Sequence, residues 1–283
     1  MAAATSTLPK VKAPPGACDT HIHIYGPTET YKLAPTSPFP PPLAPVTAFR
    51  EVMRRLGTER AVVVQPAAYG KDNACTLDAV RELGLDRTRA VVVVDETVTD
   101  KELDRLTKAG ARAIRFHMLK GGVLGWDIIE RMAERVKAFG WHVQLQLDGR
   151  LLPEKRATIE SLAGKVVIDH TGKFLEPVAP DHEAFKVLQG LVDTGRFWVK
   201  LSAPYETSKA GPPDYRDVGA LAKDLIERAP ERMLWASNWP HPSAQPDPPD
   251  DAMLLDVLGY WCPDEAVRNR ILADNPARLY GFA

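Results

Sequence analysis

Cysteine is scarce and unpatterned in this chain of 283 residues: Cys18, Cys75 and Cys262 are an odd number, spread widely, with no CxxC pair. That spacing excludes a disulfide framework and a cysteine-built zinc site, and makes a reducing cytoplasm the expected setting. No stretch of about 18 uninterrupted apolar residues occurs. Residues 1–12 also lack the apolar segment of about 7 to 15 residues that a secretory signal needs. Neither a membrane span nor an export signal is therefore expected. Charge of one sign is missing too. The 36 Lys and Arg offset 37 Asp and Glu to a formal net charge of −1, which supplies no global field for nucleic acid or an anionic membrane. No GxGxxG follows the first strand-like run, and no GxxxxGK(S/T) phosphate loop occurs anywhere. A small molecule is left as the expected partner.

What is present is ordinary globular composition, 45% apolar and 26% charged, arranged in a repeating pattern. Short runs of β-branched and apolar residues recur at 17–24, 61–66, 90–95, 113–119, 141–148, 165–170, 197–202 and 233–239. Between them lie stretches of helical periodicity, such as Leu103, Leu106 and Ala109, or Ile128, Ile129, Met132, Ala133 and Val136. Gly57, Gly84, Gly110, Gly140, Gly164 and Gly195 each follow a helical stretch, where a left-handed cap is expected. Runs such as AVVVQ and AVVVV read as strands buried on both faces. Eight βα units in series predict an α/β protein made of a single (β/α)8 TIM barrel over 17–283, ending in a helical extension, with an N-terminal arm over 1–16 of which the first dozen residues are expected to be loose.

In such a barrel the chemistry sits at the C-terminal ends of the strands, and alternation selects the inward side chains. Strand one places Asp19, His21 and His23 on one face, and strand two ends at Gln65. Strand four pairs Arg115 with His117, and strand five aligns His142, Gln144, Gln146 and Asp148. Strand six ends in His170, strand seven carries Lys200 and Ser202, and strand eight runs into Ser237, Asn238, Trp239, Pro240 and His241. A lone strand histidine is more often a hydrogen-bonded core residue than a catalyst. Convergence shifts that weighting for His21, His23 and His170, because polar rings at a barrel mouth need partners that a sheet core does not supply. His142, near the start of its strand, is expected at the barrel bottom in a structural role, and His182, at a helix start, in solvent.

The ordered set "CDTHIHIYGP" at strand one, "IDHTGKF" at strand six and "ASNWPHP" at strand eight resembles the amidohydrolase superfamily. Within it the chain is similar to the branch typified by 2-pyrone-4,6-dicarboxylate lactonase, from Ala17 to the terminal "NPARLYGF". Many members of the superfamily hold one or two divalent metals through strand-one, strand-five and strand-six histidines, a strand-four lysine or glutamate and a strand-eight aspartate. Here strand four offers His117, the end of strand five has no histidine, and strand eight has Asn238. His21, His23 and His170 can still compose a zinc site with an open position. The lactonase branch is metal-independent, so the resemblance implies no metal and no cofactor.

That resemblance implies a carboxylated lactone as the small-molecule substrate. Attack on its carbonyl creates an oxyanion, for which His170 with one of the strand-one histidines is the expected donor set. Arg115 and Lys173 suit a substrate carboxylate, whereas Lys209, in the loop "TSKAGPP", is an ordinary solvated lysine. Gln65, Gln144, Gln146, Ser202 and Tyr205 suit the hydroxyls of a sugar acid. Asn238 stands where hydrolytic relatives carry an aspartate base, and an amide has no basic form near neutral pH. Three readings follow. One is isomerisation of an aldaro-1,5-lactone to the 1,4-lactone by the substrate's own hydroxyl, with His117 or His241 passing the proton. The second is a metal-independent lactone hydrolase, either active or an engineered form inactivated by an Asp-to-Asn exchange, and the third a carboxylate-binding pseudoenzyme. The proline-rich segment 25–45 is expected to reach over the mouth as a lid; recognition by an aromatic groove is the rival role. The proline-dense stretch after Asn238 is expected to fix Trp239 and His241 near the site. No helix face is apolar enough to assign an oligomeric state.

Overall fold

The computed structural model describes residues 7–283. Strand and helix alternate throughout: β1 (Cys18–Ile22), α1 (Val46–Leu56), β2 (Arg60–Val64), α2 (Ala74–Leu83), β3 (Thr88–Val92), α3 (Asp100–Lys108), β4 (Ala111–His117) and α4 (Ile129–Lys137) come first. They are followed by β5 (His142–Gln146), α5 (Leu152–Ser161), β6 (Val166–Ile168), α6 (Glu183–Asp193), β7 (Phe197–Leu201), α7 (Arg216–Arg228), β8 (Met233–Trp235) and α8 (Asp251–Trp261). The expected helical extension is α9 (Glu265–Asn269), a π-helical turn over Arg270–Asp274 and α10 (Asn275–Tyr280). The eight strands are parallel and lie in chain order.

The two ends of the sheet meet through the segment that follows β8. The Asn238 N–H donates to the His21 carbonyl at 3.0 Å and the His23 N–H to the Trp239 carbonyl at 2.8 Å. The eighth strand is therefore shorter than the expected 233–239, and its last residues form the loop that carries Asn238. Thr20 Oγ1 donates to the Trp235 carbonyl at 2.8 Å, and Asp19 Oδ1 accepts from the Ser237 N–H at 3.1 Å. A register irregularity between Asp19 and Ile22 interrupts the alternation expected to group Asp19 with the two histidines, and its carboxylate holds this seam.

Strands read as buried on both faces are so because the interior takes one face and the ring of helices the other. Cys18, Val62, Val64, Val91, Ala113, Val167, Trp198 and Leu234 pack as one cluster, sealed by Leu279, Tyr280 and Phe282 at the end of the chain. His142 completes this bottom as expected, its ring 5.2 Å from that of Tyr280. Outside the sheet, Leu103, Leu106, Ile129, Met132 and Val136 turn the apolar stripes of α3 and α4 onto the barrel. Gly57 shows the helix stop at work: at φ 76° it closes α1 with its N–H on the Met53 carbonyl. The arm over 1–16 is not loose where it is described. Residues 1–6 lie outside the described residues, but the Lys10 and Val11 N–H groups donate to Asp256 Oδ1 of α8 at 2.6 and 2.8 Å. Among the described residues no helix is long and apolar enough to cross a membrane, and all three cysteines are buried and free.

The seal at the barrel bottom is testable through Tyr280, whose ring is fully buried while its hydroxyl has no hydrogen-bond partner. Tyr280→Ala is expected to cost about 3 to 5 kcal/mol of unfolding free energy. Tyr280→Phe is expected to be neutral or stabilising, because it removes an unpaired buried hydroxyl. Denaturant titration of both variants checks this, and a loss above about 1 kcal/mol for the Phe variant would contradict it.

Candidate active site

Above its sealed bottom the barrel interior becomes polar. Lys200 of β7 is fully buried, and its Nζ donates to the Thr20 carbonyl and to Gln144 Oε1, both at 2.7 Å. Asp169 Oδ1 lies 3.8 Å from that ammonium, and Asp169 Oδ2 accepts from Gln144 Nε2 at 3.1 Å. His21 Nδ1 stands 3.4 Å from Lys200 Nζ, Gln144 Nε2 and Asp169 Oδ1 alike. Burial, then the Lys200 charge, holds the His21 pKa well below the usual imidazole range. Burial also lowers Lys200 to about 8 even though Asp169 opposes the shift. These groups form the floor of the site.

Over the floor opens a pocket of about 270 Å³, walled by His23, Arg115, His117, Gln146, His170, Lys173, Glu206 and Asn238. Tyr25, Pro38 and Phe39 of the proline-rich segment line it as well, which brings this segment to the edge of the pocket. A larger groove of about 710 Å³ runs between α2 and α3 and contains none of these groups. Arg115 donates to the Gln65 carbonyl at 2.7 Å and to Gln146 Oε1 at 2.8 Å, leaving its Nε without a partner. His117 Nδ1 is likewise unpaired. Both atoms are buried behind the pocket wall, which these two inward residues of β4 help to form.

The imidazoles are neutral. Burial and the Arg115 charge lower His23 to about 3, and the same two causes bring His117 to about 4. His170 is pushed well down by burial and Lys173. His23 Nδ1 donates to the Val64 carbonyl at 2.8 Å, which leaves its Nε2 as a bare acceptor. This revises the expected oxyanion pair, since His23 cannot donate from Nε2 in that tautomer. His170 Nδ1 lies 2.8 Å from Ser202 Oγ, and a hydroxyl donating there leaves Nε2–H as the donor. Lys173, lowered to about 8 by burial, ion-pairs with Glu206.

The loops that hold these groups are tightly turned. His170, Thr171 and Lys173 after β6, Ala203 after β7, and Asn238 and His241 after β8 all have φ between 48° and 65°. Left-handed backbone at non-glycine residues costs on the order of 1 to 3 kcal/mol each, and it clusters here at the strand ends.

Several expected ligand contacts are spent inside the protein instead. Gln65 is turned away from the pocket: its Nε2 donates to the carbonyls of Gly70 and Asp72, and its Oε1 accepts from Thr76 Oγ1. Gln144 belongs to the floor, and Ser202 to the support of His170. Tyr205 and His241 stand behind Asn238, with the Tyr205 hydroxyl 3.0 Å from His241 Nδ1 and His241 Nε2 2.9 Å from Asp251 Oδ1. Both ring nitrogens of His241 are therefore committed, and it stands outside the pocket lining, whereas His117 lines the pocket. Trp239 packs on Phe49, ring centres 5.3 Å apart, outside the pocket. Lys209 is exposed and pairs with Glu176, as a solvated lysine should. His182 caps α6, its Nδ1 accepting from the Ala184 N–H. Asp169, Lys200 and Glu206 went unassigned from sequence. A lysine inside "FWVKL" and an aspartate two residues past inward Val167 are readable signals; Glu206, in an irregular turn, offers none.

The donor atoms of His21, Asp169 and His170 lie within 4.8 Å of one another, close enough to suggest a metal site. The set does not suit a divalent ion. The Lys200 ammonium already stands beside two of the three donors, and a dication there meets a fixed like charge. The strand-eight position contributes an amide rather than a carboxylate.

A pocket at the C-terminal ends of eight parallel strands, built on a strand-one histidine pair, a strand-six histidine and a strand-eight turn, defines a (β/α)8 barrel of amidohydrolase type. The amidohydrolase family model matches residues 18–282, and the chain belongs to this family. It is 36% identical over 280 residues to the D-galactarolactone isomerase of Agrobacterium fabrum (strain C58 / ATCC 33970), covering 98% of this chain and 94% of that one. It is 33% identical over 287 residues to a 2-pyrone-4,6-dicarboxylate hydrolase of Comamonas testosteroni, covering 98% and 94%. The apo crystal structure of an Agrobacterium tumefaciens protein matches with a TM-score of 0.91 at 36% identity, over 97% of this chain and 99% of that one.

The neutral histidines set the acid stability. His21, His23, His117, His142 and His170 all have pKa values below the usual 6.5, with His142 at about 3. Below about pH 6.5 the unfolded chain binds protons that the folded one refuses, so stability falls with pH, by at most about 1.4 kcal/mol per pH unit for each histidine. Asp19, raised to about 7 by burial, opposes this with one proton. The denaturant midpoint is expected to be clearly lower at pH 5 than at pH 7.5, and an unchanged midpoint would mean that these imidazoles charge within the folded state.

Proposed function

We propose that this protein isomerises the lactone of a sugar diacid, moving the acyl group of an aldaro-1,5-lactone onto the substrate's own 4-hydroxyl to give the 1,4-lactone, with D-galactarolactone as the expected substrate. The observation that carries this reading is Asn238. Its Nδ2 donates to the Tyr205 hydroxyl at 2.9 Å and faces Glu206 Oε1 at 3.4 Å. The hydrogen bonds then run on through His241 to Asp251. That orientation leaves the Asn238 Oδ1 as an acceptor at the pocket, able to orient a hydroxyl but not to take a proton from water. The names of the relatives agree with lactone chemistry of both kinds, isomerase and hydrolase.

The reaction needs little beyond positioning. The C1–O4 bond forms, the C1–O5 bond breaks, and one proton passes from O4 to O5. A tethered hydroxyl has an effective concentration of about 10⁵ to 10⁸ M when well aligned, so water need not compete. Arg115 and the neighbouring His117 suit the distal carboxylate and its adjacent hydroxyl. His170 Nε2–H and the Lys173 ammonium suit the C1 oxyanion, where one well-placed donor contributes about 3 to 4 kcal/mol. His23 Nε2 and Gln146 remain to bind hydroxyls, a lining better matched to a polyol than to a flat apolar ring. No step calls for a metal or a cofactor.

Proton NMR of an aldaro-1,5-lactone with the enzyme is expected to show accelerated appearance of the 1,4-lactone. Acceleration of open-acid formation alone would favour hydrolysis, and no change in either rate would favour a binding protein. Asn238→Asp is expected to raise hydrolysis relative to isomerisation; an unchanged product ratio would show that this side chain does not decide between them.

A further inference from the structure

The isomerisation moves one proton between two substrate oxygens, while His23, His117 and His170 at the pocket are taken up in holding the substrate. We propose that Glu206 is this carrier, an assignment that rests on the lactone-isomerase reading and extends it. Glu206 is the one carboxylate among the described residues that wall the pocket. It sits in the turn Pro204–Glu206 directly after β7, with its side chain only 9% exposed. Groups from two other strand ends hold it. Lys173, after β6, pairs with Oε2; Asn238 and Ser243, after β8, approach Oε1, with Ser243 Oγ donating to it. The carboxylate thus lines the pocket beside the Asn238 amide, with a counter-charge already in place.

O4 and O5 are borne on adjacent carbons, and in the tetrahedral intermediate both are bonded to C1. A single carboxylate therefore reaches both. As O4 bonds to C1, its proton passes to a Glu206 oxygen; as the C1–O5 bond breaks, the same proton passes to O5. Glu206 ends as it began, and nothing is oxidised, reduced or hydrolysed. Lys173, freed of its partner's charge while Glu206 holds the proton, faces the oxyanion at that moment. His241 does not line the pocket and both its nitrogens are committed, whereas His23 and His117 are taken up in holding substrate hydroxyls.

The test uses the full-length protein with the aldaro-1,5-lactone. Glu206→Gln keeps the shape and an oxygen for Lys173, and is expected to lower kcat by about 10² to 10⁴-fold with KM changed only a few-fold. Glu206→Ala is expected to be similarly slow and to regain activity as formate is added, a rescue that a structural role does not produce. Glu206→Asp, with its shorter carboxylate, is expected to fall between wild type and Gln. If Glu206→Gln stays within threefold of wild type, or if the folded Ala variant is slow yet deaf to formate, the assignment is wrong. If wild type itself leaves the lactone unchanged, the functional reading fails and this assignment with it.

Discussion

An ammonium group stands in the middle of this barrel, and the site above it is arranged around that fact. Removing Lys200 from water costs several kcal/mol unless its charge is matched and its protons are accepted. The Thr20 carbonyl and Gln144 Oε1 accept two of them, and Asp169 supplies the opposite charge. Each partner is then no longer free to do anything else. Gln144 is oriented by the lysine on one side and Asp169 on the other, and His21 is kept neutral between them. A charged floor of this kind also disfavours a dication, because Lys200 and a metal compete for the same carboxylate.

The same positive surroundings govern the pocket. With Arg115 and Lys173 at its wall and its imidazoles neutral, the site favours an anion, and among the described residues Glu206 is the one carboxylate set against them. Neutral imidazoles can donate or accept a hydrogen bond in fixed directions without the cost of burying another charge. Lactone chemistry in such a site depends on where the nucleophile comes from. Asn238, held by Tyr205, places an amide in the strand-eight turn, a group that cannot take a proton from water.

Much of this was readable in the sequence, and the boundary between the readable and the unreadable has a physical cause. Strand runs such as AVVVQ declare themselves through β-branched side chains, and alternation within β4 correctly aimed Arg115 and His117 at one pocket. Alternation fails where the backbone leaves the strand. Asn238 at φ 65° reverses the direction of the chain, so Trp239 packs outward on Phe49 instead of joining the site. Gln65 lies just past the end of β2, but the turn at Ala67–Tyr69 brings two carbonyls back onto its amide. Glu206 was invisible for the converse reason: its turn has no period, and only the folded loops after β6, β7 and β8 bring Lys173, Glu206 and Asn238 together.

In the proposed isomerisation the acyl group passes between two oxygens of one molecule and water takes no part. Running the wild-type reaction in oxygen-18-labelled water and weighing the first-formed product by mass spectrometry tests it directly. A 1,4-lactone of unlabelled mass from the earliest time points is the predicted result. Heavy oxygen at C1 in that early product would show that water attacks the carbonyl, and would contradict the account.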